Sequence, residues 1–134
     1  MRFGDVAVCG SRGWTLPQNG NAEDEKIYNR ELIRLKMALE AAVKMLDGRP
    51  LVVMMHYPPL ADGGGETKVS RLLSQYEVDD VVYGHLHGAS LRGAVTGCYG
   101  GVRYHCVSCD GLKFRLYTLY GGEEENENGA SAQE

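Results

Sequence analysis

The chain has 134 residues and a mass of 14.7 kDa, the size of one domain. With 43% apolar and 24% charged residues it can bury a core, which excludes wholesale disorder. The net charge of −4 comes from one end: Gly121 to Glu134 holds five of the 18 acids and no Lys or Arg, and the near-neutral remainder excludes nucleic acid or an anionic membrane as main partner.

Phe3 to Cys9 reads as a first strand, followed by a turn at Gly10-Ser11-Arg12-Gly13 and a loop from Thr15 to Gly20. Tyr28, Leu32, Leu35, Leu39, Val43 and Leu46 then recur at steps of three and four, the stripe of an amphipathic helix. Asn21 can cap its start, Glu23, Asp24 and Glu25 suit its positive end, and Gly48 with Pro50 stops it. Leu51 to Met55 is a continuous apolar run, as in a strand buried on both faces. Thr67 to Tyr76 predicts a short helix and Val78 to Tyr83 a second buried strand. From Val102 onward, Tyr104, Val107, Phe114, Leu116 and Tyr117 predict one or two further strands with a hairpin turn at Asp110-Gly111. The alternation of strands and helices predicts an α/β sandwich that begins parallel and ends antiparallel.

One domain over residues 1–120 is expected, with a disordered acidic tail over 121–134. No run of about 18 apolar residues is present, so no membrane-spanning helix is expected. The first residues, Met1-Arg2-Phe3-Gly4-Asp5, lack the apolar segment of a secretory signal. Cys9, Cys98, Cys106 and Cys109 are therefore expected as reduced thiols, and the location as cytoplasmic.

Three of the four histidines follow buried strands. His56 comes after Leu51–Met55, and His85 and His87 come after the second strand in Tyr83-Gly84-His85-Leu86-His87-Gly88. Ligands gather at the carboxyl ends of parallel strands, so neighbouring strands would aim His56 and His85 into one crevice. Glycines on both sides let the backbone turn sharply near a bound ion, and imidazole ligates zinc, iron and similar metals. Taken singly, each histidine reads as a satisfied polar residue; the joint pattern reads as a metal site. His105, inside a strand, reads as structural. Cys106 and Cys109 have CxxC spacing, but a strand would point them to opposite faces, so buried thiols are favoured over a zinc or redox pair. Arg12 after the first strand can fork onto a phosphate, with Trp14 walling a pocket, or can be a solvated turn residue.

Met55-His56-Tyr57-Pro58-Pro59 and Val82-Tyr83-Gly84-His85-Leu86-His87-Gly88 resemble the calcineurin-like metallophosphoesterases, in particular their bacterial phosphohydrolases. Gly10-Ser11-Arg12-Gly13-Trp14, the start of the long helix and Val107-Ser108-Cys109-Asp110 extend the likeness, which runs from Phe3 to about Leu119. The resemblance implies mixed β-sheets flanked by helices, as the C-terminal part of an αββα sandwich. It implies a dinuclear metal site, with His56 and His85 on one metal and His87 on the other, a phosphate-ester substrate, and manganese, iron or zinc as cofactor. It also marks a departure. The Asp-x-His, Gly-Asp-x-x-Asp and Gly-Asn-His-Asp motifs of the family do not occur: Gly4-Asp5 lacks the second aspartate, and Gly20-Asn21 is followed by Ala22-Glu23. The expectation is thus a fragment of a hydrolase, with weak metal binding and little turnover alone. It would have an exposed sheet edge open to self-association, and Asp62, Glu66 and Asp110 are candidate substitutes for the missing carboxylates. The alternatives are a non-catalytic metal-binding or interaction module, and a thiol-based protein built on Cys106 and Cys109.

Overall fold

In the computed structural model of the protein, the described residues are 2–17 and 20–120. They form one six-stranded sheet. Strands β1 (Arg2–Phe3), β2 (Val6–Ser11), β3 (Leu51–Met55), β4 (Asp80–Tyr83), β5 (Gly97–Tyr99) and β6 (Val102–Cys106) lie in the order β1-β2-β3-β4-β6-β5. The four central strands are parallel, and the two edges are short antiparallel strands. The edge strands cover little of their neighbours: β1 pairs only with Val6 and Ala7 of β2, and β5 only with Val102 to Tyr104 of β6. The acidic tail lies outside the described residues.

Helix α1 (Ala22–Val43) links β2 to β3, and α2 (Lys68–Gln75) links β3 to β4. Asn21 caps α1 by accepting from the Asp24 N–H, and Thr67 caps α2 reciprocally with Ser70. Both helices pack on one face of the sheet. Tyr28, Leu35 and Leu39 of α1 and Val69 and Leu73 of α2 share one core with Ala7, Leu51, Val53, Val81, Tyr83, Val102 and Tyr104, the strand residues of that face. Among the described residues no helix is long and apolar enough to cross a membrane.

Several expectations are corrected. α1 ends at Val43, well before Gly48, and Val43 itself is exposed. β3 is buried on both faces at its start, where Val52 is covered, but not at its end. Met54 points away from the helices and is 56% exposed, because the described residues lay no helix over that part of the sheet. They also form one sheet, where the resemblance implies two. No hairpin forms at Asp110-Gly111. Successive turns take its place, in which Leu112, Lys113 and Phe114 N–H groups bond to Ser108, Asp110 and Cys109 carbonyls. Lys113 and Phe114 both take positive φ, which a strand cannot contain, and Phe114 and Leu116 stay exposed. The short β5 carries no apolar alternation and was not foreseen.

On the sheet face away from the helices, Asp80 is almost fully buried. It accepts a forked pair of hydrogen bonds from Arg103, at 2.8 and 2.7 Å, one from His105 Nε2 at 2.8 Å and one from the Tyr120 hydroxyl. Burial pushes its carboxyl up, but hydrogen bonds from Arg103, Tyr120 and His105 and the Arg103 charge outweigh that and bring it down to about 2. His105 also bonds the Tyr117 hydroxyl at 2.7 Å. Its role is structural: with Asp80 it ties the segment around 117–120 onto the sheet.

Candidate metal centre

The site grows out of the register of the parallel strands. Ser11, Met55, Tyr83 and Cys106 lie side by side as the last residues of β2, β3, β4 and β6. Just beyond this row, the Tyr57 N–H bonds the Arg12 carbonyl, Gly84 bonds His56, and Val107 bonds Tyr83. The chain is thus braced where it leaves the sheet, and the loops after these four strands converge on one rim. Gly13 takes φ +73° there, a conformation that glycine adopts without strain, as the loop after β2 passes beside the Met55 and Tyr57 side chains.

His56 and His85 meet as the parallel pairing of β3 and β4 requires. His56 Nε2 and His85 Nδ1 are 3.1 Å apart, with the rings edge to face. Two imidazole nitrogens bound to one metal at about 2.1 Å would lie about 3.0 to 3.4 Å apart, for angles between octahedral and tetrahedral. The 3.1 Å separation falls within that range, and it is also the length of an imidazole–imidazole hydrogen bond. His85 holds this position at φ +72°, with the Leu86 N–H bonded back to the Gly84 carbonyl at 2.9 Å across it. That is a γ-turn of the strained, positive-φ kind, unusual for a residue with a Cβ. Burial, then the neighbouring His56 and His87, push the His85 imidazole below its usual range, toward the neutral form that ligates metal.

His87 pairs with a carboxylate, and it lies near enough to His85 to act on that imidazole. Its Nδ1 lies 2.8 Å from Asp110 Oδ1, whose carboxylate also accepts the Gly88 N–H at 2.7 Å and the Gly111 N–H at 3.1 Å. The Gly88 hydrogen bond, then His87, lower the Asp110 carboxyl from its ordinary value. Three donors occupy this carboxylate, so it serves as the orienting partner of His87 more readily than as a ligand. With Nδ1–H donated to Asp110, Nε2 is left as the ligating atom, the usual way a carboxylate sets the tautomer of a metal-binding histidine. Cys109 adjoins them: a ligand atom from each of His87, Cys109 and Asp110 lies within 4.8 Å of the others.

The sequence therefore placed His56, His85 and His87 on one rim, and the structure brings them there as a facing pair and a separately braced third. Asp110 reaches His87. Asp62 lies beside His85 at a neighbouring cavity, whereas Glu66 pairs loosely with Arg71 at 3.5 Å. Cys109 was passed over because CxxC spacing was read within a strand. β6 ends at Cys106, so Cys109 stands at a strand's carboxyl end, as His56 and His85 do, and that position was the available signal.

Arg12 is engaged. Its guanidinium bonds Glu31 at 3.0 Å and lies 4.9 Å above the Trp14 ring. Glu31, only 3% exposed, also pairs with Arg34 at 3.0 Å and has Arg30 at 3.9 Å. Arg12 thus neutralises a buried carboxylate first, and the cluster remains net cationic toward solvent. Glu31 sits in the helical stripe and gave no sign of burial in the sequence. Trp14, Tyr57 and His85 continue the row, with ring centroids 5.3 and 4.5 Å apart. The Trp14 indole N–H anchors the loop to Asp24 in the first turn of α1.

No protein-family model, no curated protein and no solved structure matches the chain.

Proposed function

We propose that this chain carries the histidine portion of a metal-dependent phosphoesterase site of the calcineurin-like kind. The observation that supports the reading is the facing pair at 3.1 Å, His56 and His85, beside a third histidine whose tautomer Asp110 sets. His56 and His85 hold one divalent cation, and His87, with Cys109 within reach, holds a second. Imidazole and carboxylate accommodate manganese, iron or zinc alike. A divalent cation there supplies Lewis-acid polarisation of a phosphoryl oxygen and offsets charge developing during attack on phosphorus.

The chain's own residues do the rest. β3 and β4 orient His56 and His85, Asp110 holds the His87 proton at Nδ1, and the Arg12 cluster adds positive potential for a phosphate ester. No residue is assigned as the catalytic acid or base. Among the described residues Asp110 is the one carboxylate in contact with these histidines, and three neutral imidazoles do not offset two divalent charges. The chain by itself therefore binds metal weakly and turns over little; efficient hydrolysis needs further carboxylates of the kind in the absent family motifs.

Elemental analysis at equilibrium dialysis against excess manganese or zinc, with the free metal of the outer buffer subtracted, tests this reading. Wild type retains metal and His85→Ala does not. A folded wild type that retains none refutes the reading and leaves a non-catalytic module. Measurable phosphodiester hydrolysis by the chain alone would show instead that the site is self-sufficient.

A further inference from the structure

Beside His85 lies a cavity of about 510 Å³, inside the range that holds small organic molecules. Leu16, Pro58, Leu60 and Leu86 supply apolar wall, and Asp62 supplies one carboxylate. No Lys or Arg lines it among the described residues. It opens where the aromatic row ends, since Leu16 and Pro58 come just after Trp14 and Tyr57 in the chain.

We infer that this cavity receives the organic group of the phosphate ester and that it selects an uncharged apolar group, aryl or short alkyl, over a polyphosphate or another anionic group. The inference rests on the phosphoesterase reading, which places the phosphoryl group at His56 and His85. Two features carry it. The first is adjacency: His85 belongs both to the metal pair and to the cavity wall, so an ester with its phosphoryl group at the histidines has its oxygen substituent directed at this space. The second is chemistry: the leucine and proline side chains gain from desolvating an apolar group, whereas Asp62 repels an anionic substituent that no Lys or Arg of the wall offsets. The cationic side of the rim lies around Arg12, Arg30 and Arg34, at their shared partner Glu31.

Trp14 is the single tryptophan of the chain and reports on this rim. Its fluorescence, followed in the full chain after dialysis against manganese, is titrated with phenylphosphonate, methylphosphonate and pyrophosphate. Phenylphosphonate binds about tenfold or more tightly than methylphosphonate, as expected for burial of one aromatic ring. Pyrophosphate binds by its own chelation of the cation, and its affinity is unchanged by Leu16→Asn. Leu16→Asn, at a position already 37% exposed and outside the core, collapses the phenyl-to-methyl ratio toward one. Equal affinity of the two phosphonates for metal-bearing protein overturns the cavity assignment and leaves the phosphoesterase reading standing. Protein that holds no metal overturns the phosphoesterase reading, and benzyl alcohol, which needs no cation, then decides the cavity: binding weakened by Leu16→Asn supports it, and no binding overturns it.

Discussion

His85 stands at φ +72°, where a side chain with a Cβ is strained, and its own side chain is exposed. A non-glycine residue in this region costs about 1 to 2 kcal/mol. Replacing His85 removes little buried surface, so backbone conformation dominates the outcome. At an ordinary position glycine is less stable than alanine by about 0.5 to 1 kcal/mol, because the unfolded chain loses more freedom. Here the order reverses. His85→Gly is more stable than His85→Ala by about 1 kcal/mol, which in a domain of this size raises the melting temperature by roughly 3 to 5 °C. Urea unfolding of both variants with metal chelated away measures the difference, and elemental analysis shows both without metal. Stability and metal retention therefore move in opposite directions at one residue, as expected where strain holds a ligand in place. Glycine less stable than alanine would refute the argument, since the turn would then hold His85 without strain.

The Asp80 carboxyl is depressed to about 2, so its contribution to stability is fully present above pH 4 and is lost as pH falls through 2. The distance from the ordinary 3.8 is worth about 2 kcal/mol. Asp80→Asn loses about that much in chemical denaturation at pH 7, the gap closing toward pH 2; a gap independent of pH would count against the ion network as its source. Asp110→Asn lowers affinity for zinc or manganese about 10- to 100-fold in calorimetric titration, by releasing the His87 tautomer. Unchanged affinity would remove Asp110 from the site. Glu31→Gln leaves Arg12 and Arg34 without their buried counter-charge and destabilises the fold by about 1 to 2 kcal/mol, moderated by the half-exposure of both arginines, whereas Arg30→Ala shifts thermal unfolding by less than about 0.5 kcal/mol.

What the sequence determined by itself is what neighbouring residues determine. The stripe of α1 and its cap at Asn21, the short helix α2 and the apolar run of β3 depend on contacts a few residues apart. The placement of His56 and His85 after two such runs was legible for the same reason, since parallel neighbours carry their next residues to one rim. Elsewhere a local pattern misled: apolar residues at 114, 116 and 117 imitate strand alternation, and nothing in Lys113-Phe114 announces two left-handed residues in succession. The tertiary structure alone decided which partners meet across the chain. Asp110 reaches His87 over 23 positions, and Arg103 and His105 converge on Asp80 from the far side of a crossover. It also decided that Glu31 is buried among arginines and that Met54 is exposed. Burial and pairing at such separations depend on how strands order in the sheet and which face the helices choose, and no periodicity along the chain encodes either.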